Sequence, residues 1–95
     1  MITIAVSDIL SALADNNRRR VLEILKKGKI SSGDLAKELD MTPQALSYHL
    51  SKLKKADLIY ETKNKNFIYY ELNLTVLDEA LMWIMNLRGD NDDKN

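Results

Sequence analysis

The sequence predicts a mainly α, α+β fold: a winged helix-turn-helix of five helices with a two-stranded β-hairpin wing. Three observations predict it. Ser31–Lys55 contains two helix starts, with only Asp40 and Met41 separating the helices that they open, too short a link for anything but a helix-turn-helix corner. The stretch IYETKNKNFIYYEL follows directly and is rich in Ile, Tyr, Phe and Thr, the composition of a hairpin. Amphipathic helical segments stand on both sides of this unit.

Each element has a local reason. The first segment has apolar residues at Ile2, Val6, Ile9, Leu10 and Leu13, a helical spacing. Asp15 is placed to cap a second helix, Asn16–Lys27, which Gly28 ends. Val21, Leu22, Leu25 and Ile24 form its inward side. Lys29-Ile30-Ser31 has room for one strand-like bridge. Ser31 and Asp34 form an S-x-x-D start for a third helix over about Ser32–Leu39, which buries Leu35, Ala36 and Leu39. Thr42 supplies a capping hydroxyl and Pro43 a ring that presets the first turn of a fourth helix, Pro43–Lys55. Leu46, Leu50 and Leu53 point this helix inward. Strands are expected near Leu58–Thr62 and Phe67–Leu72, joined through Asn-Lys-Asn, a turn whose length is not fixed by its residues.

A final helix is expected over about Thr75–Leu87. Val76, Ala80, Trp83 and Leu87 form one apolar stripe, and Leu77, Leu81 and Ile84 form another beside it. A surface helix in a small domain ordinarily needs one stripe. The expectation is that one stripe packs on its own subunit and one on another chain. The alternative is a terminal helix half covered by its own core. The expected layout is a single domain over residues 1–95: dimerisation helices at 1–14 and 75–88, the helix-turn-helix at 32–55, the wing at 58–72 and an acidic tail at 89–95, expected to fray. Ile2, Val6, Ile9, Val76, Ala80, Trp83 and Leu87 are the candidate residues of the dimer interface.

Composition narrows the function classes. The chain is 45% hydrophobic and 29% charged, ordinary for a globular domain. It has no cysteine, which excludes disulfides, iron–sulfur clusters and zinc–thiolate sites. Asp8 interrupts the apolar start, which also lacks a positive n-region, so neither a secretion signal nor a membrane span is expected and the expected location is cytoplasmic. The net charge is zero, but it is unevenly placed. Asn16–Lys29 has three arginines and three lysines against Glu23, about +5. Thr42–Asn66 has five lysines against Asp57 and Glu61, about +3, and from Glu71 onward six carboxylates face Arg88 and Lys94, about −4. The alternative reading of this pattern is plain solvated charge.

The fourth helix carries the chemistry. With Leu46 inward, Gln44, Tyr48, Ser51 and Lys55 point outward, flanked by Ala45, Ser47 and Lys52. Gln can bond adenine through two hydrogen bonds, Ser can donate or accept, and Ala can touch a thymine methyl. Tyr48 offers a ring and a hydroxyl to a base or phosphate, and Thr42 lies at a helix start whose free N–H groups suit a phosphate oxygen. Lys52 and Lys55 are expected phosphate contacts, joined by Lys63 and Lys65 at the hairpin tip. His49, about 60° from Leu46, is expected to pack or to touch phosphate. Arg18, Arg19 and Arg20 fall on three faces of one turn, so one is expected at phosphate and the others at carboxylates or water. Catalysis is not expected, because there is no glycine-rich phosphate loop, no nucleophilic cysteine and only one histidine. Neither a cofactor nor a metal is expected.

From about Ser7 to Leu74 the chain resembles the ArsR family of bacterial winged-helix repressors, and within it the SdpR-type autorepressors. The residues that carry the likeness are ALADNNRRRVLEILKKG, ISSGDLAKELDMTPQALSYHLSKLKKADLI, FIYYEL and the final VLDEALMWIMN. The resemblance implies a homodimer joined by the first and last helices, with each fourth helix in a major groove of operator DNA. It also implies sequestration by a membrane protein as one route of relief.

Departures matter too. Metal-sensing members carry a motif like ELCVCDL at the third helix, and here Ser31 and Gly33 stand at its thiolates. Asp78 and Glu79 alone make at best a weak oxygen site. Asn16-Asn17 stands where many relatives have Pro-Thr, and Asp57 where glycine is common. The expected function is therefore that of a homodimeric autorepressor on an inverted-repeat operator, with no small-molecule substrate. The alternative is a winged-helix protein-interaction module that does not read DNA.

Overall fold

The structure is a computed structural model, and it describes residues 4–89. Helix α1 spans Val6–Leu13, α2 Asn16–Leu25, α3 Ser32–Leu39, α4 Pro43–Lys55 and α5 Leu74–Arg88. Strand β1 is Ile30–Ser31, β2 is Ile59–Asn64 and β3 is Phe67–Leu72. The five helices, the wing and the short bridge before α3 are those expected, and the bridge joins the two-stranded wing to make one antiparallel sheet in the order β1-β3-β2. Ile30 and Ser31 pair with Tyr70 and Tyr69, so the short bridge before α3 fastens the wing to the helix-turn-helix.

Side-chain oxygens open the helices where the sequence places them. Asp15 accepts from the N–H groups of Asn17 at 2.7 Å and Arg18 at 3.2 Å. Ser31 Oγ accepts from Asp34 N–H, and Thr42 Oγ1 from Ala45 N–H, each at 3.2 Å. Each such cap is worth about 1 kcal/mol. The closing turns of α3 and α4 share one design. Met41 N–H reaches back to Ala36 O and Leu58 N–H to Leu53 O, both at 3.0 Å. This requires a left-handed residue between, and Asp40 (φ 52°) and Asp57 (φ 58°) supply it. The end of α2 comes at Leu25 rather than Lys27, because Lys27 and Gly28 turn tightly onto Ile24 O and Leu25 O.

Val21 and Leu25 of α2, Leu35 and Leu39 of α3, and Leu46, Leu50 and Leu53 of α4 form one buried cluster with Leu58, Ile59 and Tyr70. Ile9 and Ala12 of α1 complete it. Ile9 is only 3% exposed, which corrects its assignment to the dimer interface: its side chain is used up inside its own core. Val6 is half-buried. Ile2 and the tail beyond Gly89 lie outside the described residues.

The division of α5 also differs from expectation. The two stripes do not separate around the helix; the helix divides along its length. Val76, Leu77 and Ala80 pack against the core, whereas Leu81, Met82, Trp83, Ile84 and Leu87 are exposed, Leu87 by 70%. Asn73 fixes where this helix leaves the body. Its Oδ1 accepts from Val76 N–H at 3.3 Å, while its Nδ2 donates to Asp57 O at 2.9 Å.

Candidate nucleic-acid interface

Because α4 buries Leu46, Leu50 and Leu53, its opposite side is left to solvent. Thr42, Gln44, Ser47, Tyr48, Ser51 and Lys55 are exposed there, with Ala45 and Lys52 half-buried at the margins. Tyr48 is 57% exposed. Lys52 Nζ lies 5.6 Å from the centre of the Tyr48 ring, so the cation and the ring hold one another on the same face. Ser51 Oγ donates to Tyr48 O at 2.7 Å, which leaves that hydroxyl its lone pairs for an outside donor. The surface is polar, basic at its C-terminal half, and mounted on a rigid helix.

His49 belongs to a different environment. It is 9% exposed, so of its two expected roles packing is the one it fills, and the expected phosphate contact is corrected. Its Nδ1 lies 3.3 Å from Arg18 Nη1 and 3.9 Å from Asp15 Oδ1. A guanidinium has only donors, so this bond needs the lone pair of Nδ1, which puts the ring proton on Nε2. Arg18 itself is buried, donating from Nε to Ala12 O at 2.8 Å and from Nη2 to Ser11 O at 3.1 Å. Arg19 Nη1 donates to Leu13 O at 2.6 Å and Arg20 Nη1 to Asn17 Oδ1 at 3.3 Å. Burial takes Arg18 away from phosphate, whereas Arg19 and Arg20 remain exposed to solvent. Two of the three arginines satisfy carbonyls at the C-terminal end of α1, a helix end that attracts positive charge.

Asp15 ties these groups together. Partial desolvation pushes its carboxyl up, but the backbone N–H bonds of Arg18 and Asn17, with the nearby charge of Arg18, outweigh this and hold it below its ordinary value.

Within the expected wing, β2 runs past Thr62 to Asn64, pairing Lys63 with Ile68 and Asn64 with Phe67. Only Lys65 and Asn66 make the turn, with Lys65 at φ 58°. Lys63 and Lys65 are exposed at this tip. Phe67 is 60% exposed beside them, with its ring 6.4 Å from that of Tyr69, an apolar element that the sequence reading did not single out. Lys54 plays another part. Its Nζ meets Glu61 Oε1 at 2.6 Å, bracing the end of α4 against β2, and this bond raises the lysine above its ordinary value. Burial, then the Glu61 charge, pushes the Tyr70 hydroxyl up beside it.

The sequence reading missed Arg18 and Asn73 as organisers. Arg18 stands three and seven residues before Val21 and Leu25, on the same inward stripe, and that spacing was the available signal. Asn73 immediately precedes the apolar run of α5, the position of a capping residue. Among the described residues no group of three or more His, Asp or Glu side chains gathers as a metal site. None of their helices is long and apolar enough to cross a membrane.

Residues 13–61 match a helix-turn-helix domain family. Over 89 residues the chain is 37% identical to the transcriptional repressor SdpR of Bacillus subtilis, covering 92% of this chain and 99% of that one. The backbone is similar to the crystal structure of an ArsR family transcriptional regulator, with a TM-score of 0.82 and 25% identity over 88% of this chain and 92% of the other. A homodimeric winged helix-turn-helix DNA-binding domain from Mycobacterium bovis shares the fold at a TM-score of 0.73 and 20% identity, over 95% of this chain and 84% of that one.

Proposed function

The chain belongs to the ArsR family of winged helix-turn-helix regulators, and from that premise we propose that it is a homodimeric, DNA-binding transcriptional repressor acting on an inverted-repeat operator, its own promoter included. The observation that carries this reading is the outer side of α4. A helix capped by Thr42, and held from behind by three buried leucines, presents Gln44, Ser47 and Tyr48 at its N-terminal half and lysines at its C-terminal half. In helix-turn-helix proteins the N-terminal residues of such a helix meet base edges. Gln44 is the candidate adenine reader, Ala45 the candidate thymine-methyl contact, and Ser47 and Tyr48 the adaptable polar contacts. Thr42, Lys52 and Lys55 hold phosphates along the groove, and Lys63 and Lys65 reach the neighbouring backbone from the wing.

Two copies are needed for a two-fold operator. The exposed distal half of α5, from Leu81 to Leu87, supplies the apolar surface, Trp83 (38% exposed) and Leu87 included. Val6, Val76 and Ala80 are proposed to join it. The name SdpR describes a repressor, and the Mycobacterium bovis domain is a homodimer. Both support the reading. Relief comes from a protein partner, a sequestering membrane protein among the candidates, or from falling protein concentration.

The test is a promoter-fragment gel shift paired with sedimentation. A dimer that prefers one upstream fragment over random competitor is expected. Trp83→Glu should yield monomers and abolish that preference while leaving the helical content intact. Single chains at working concentration, with no fragment preferred, would leave the wing and α4 as a protein-interaction module.

A further inference from the structure

We infer that Arg18 and His49 are positioning residues that hold α4 at a fixed angle to α1, and that a single proton on His49 releases that hold and loosens the choice of operator spacing. This rests on the dimeric, operator-binding reading above.

The geometry is a three-way junction. Arg18 reaches from α2 to two carbonyls at the end of α1, Ser11 O and Ala12 O, and to Nδ1 of His49 on α4. One guanidinium therefore joins α1, a helix proposed to contribute to the dimer, to the helix proposed to read bases. Both residues are more than nine-tenths buried. A planar fork with several donors holds an angle in a way that an apolar contact does not.

The junction closes only with a neutral ring. Protonation takes one proton from solvent onto Nδ1, and a donor then faces a donor at 3.3 Å, cation against cation. The acceptor in reach is Asp15 Oδ1 at 3.9 Å. That oxygen already accepts from two backbone N–H groups at the start of α2. The imidazole then turns from Arg18 towards Asp15, and α4 loses its polar tie to α1. The apolar packing of Ile9 and Ala12 in the shared core remains but fixes the angle less tightly. The remaining neighbours do not restore it. On α4 itself, Tyr48 meets the His49 ring edge-on at 5.4 Å, and Lys52 lies over the far side of Tyr48. From α1, Asp8 shares a small hollow with Ser11, Ala12, Lys52 and Lys55.

The sequence makes the device easy to test, because His49 is the only histidine in the chain. Imidazole is the side chain whose ordinary titration falls between about pH 5 and 8. In a two-fold complex the angle of α4 to the dimer surface sets the separation of the two reading helices, so it sets which half-site spacing binds best.

The experiment uses the full chain and duplexes carrying the mapped half-sites at native spacing and with two base pairs inserted, at constant ionic strength. The ratio of the two dissociation constants is read at pH 8 and pH 6. Wild type is expected to lose spacing preference between pH 8 and pH 6, by up to roughly tenfold, the scale of one charge-assisted hydrogen bond. His49→Asn keeps an acceptor where Nδ1 lies but takes up no proton, and its preference should hold at both pH values. Arg18→Lys keeps the charge without the fork, and its preference should already be low at pH 8. Thermal melts at both pH values verify folding. A flat ratio in wild type, or a His49→Asn ratio that falls as the wild type's does, overturns the inference while the repressor reading stands. If wild type binds no operator as a dimer, both fall together.

Discussion

Removing one wing lysine should change how DNA binding responds to salt by a calculable amount. Lys52, Lys55, Lys63 and Lys65 are the lysines assigned to phosphate, four on each protomer and eight on a dimer. Each neutralised phosphate contributes about −0.9 to the slope of log affinity against log salt, so the whole dimer should show about −7. Raising salt from 50 to 200 mM should then weaken binding about 10⁴-fold. Lys63→Ala removes two of the eight contacts, which brings the slope to about −5 and the loss to about 10³-fold. The effect should be alike on operator and random DNA, because phosphates carry no sequence. Lys54→Ala is the matched control. That lysine is held by Glu61 at 2.6 Å, so its loss should leave the slope alone and cost stability by about 1 kcal/mol or less. Fluorescence anisotropy on a labelled duplex across this salt range measures all three slopes. Equal slopes for wild type and Lys63→Ala, or a Lys54→Ala slope as shallow as the Lys63→Ala one, would refute the assignment.

Stability predictions follow from the caps and closing turns. Asn73→Ala removes the cap of α5 and leaves Asp57 O without its donor, so urea unfolding should show a loss of about 2 kcal/mol. Asn73→Ser should recover the capping share of that loss. Asp57→Gly relieves a left-handed aspartate at φ 58° and should raise stability by about 0.5–1 kcal/mol, read from the same unfolding curves. Asp15 is held below its ordinary value, so its capping contribution is complete above the ordinary carboxylate range and is lost as pH falls through the lowered folded value. Acid unfolding of Asp15→Asn should lack that component, with its midpoint changed accordingly on a circular dichroism titration.

The corner was legible because its signals are local. Ser31, Thr42 and Pro43 cap the residues next to them, and the helices they open, Ser32–Leu39 and Pro43–Lys55, have the expected bounds. What could not be read depends on partners far along the chain. The bridge at Ile30 was expected, but its partner is Tyr70, a pairing that no window around Ile30 contains. The length of β2 was hidden because Lys65 takes a positive φ that its side chain disfavours, so no turn residue marked the spot. His49 was placed near the buried edge by helical geometry alone, but its partner Arg18, 31 residues away, was one of three arginines that look alike in sequence. The split of α5 was missed for a related reason. A stripe shows how far apolar residues extend around a helix, not how far along it the body reaches.

A formal charge of zero is no obstacle to a phosphate partner when the charges are separated by more than salt allows them to feel. The molecule extends 53 × 25 × 21 Å, whereas charges in physiological salt are screened over about 8 Å. Phosphates held against the exposed lysines of α4 and the wing tip therefore meet those lysines first, and a carboxylate more than a screening length away acts on them only when screening fails. At 10 mM salt the screening distance grows to about 30 Å, on the scale of the protomer. Asp78→Asn should then raise DNA affinity by up to about twofold at 10 mM salt and leave it unchanged at 150 mM. Anisotropy titrations at the two salt concentrations measure the difference. An equal gain at both would put that carboxylate within direct reach of the phosphate backbone, and α5 would then lie along the DNA rather than between two protomers.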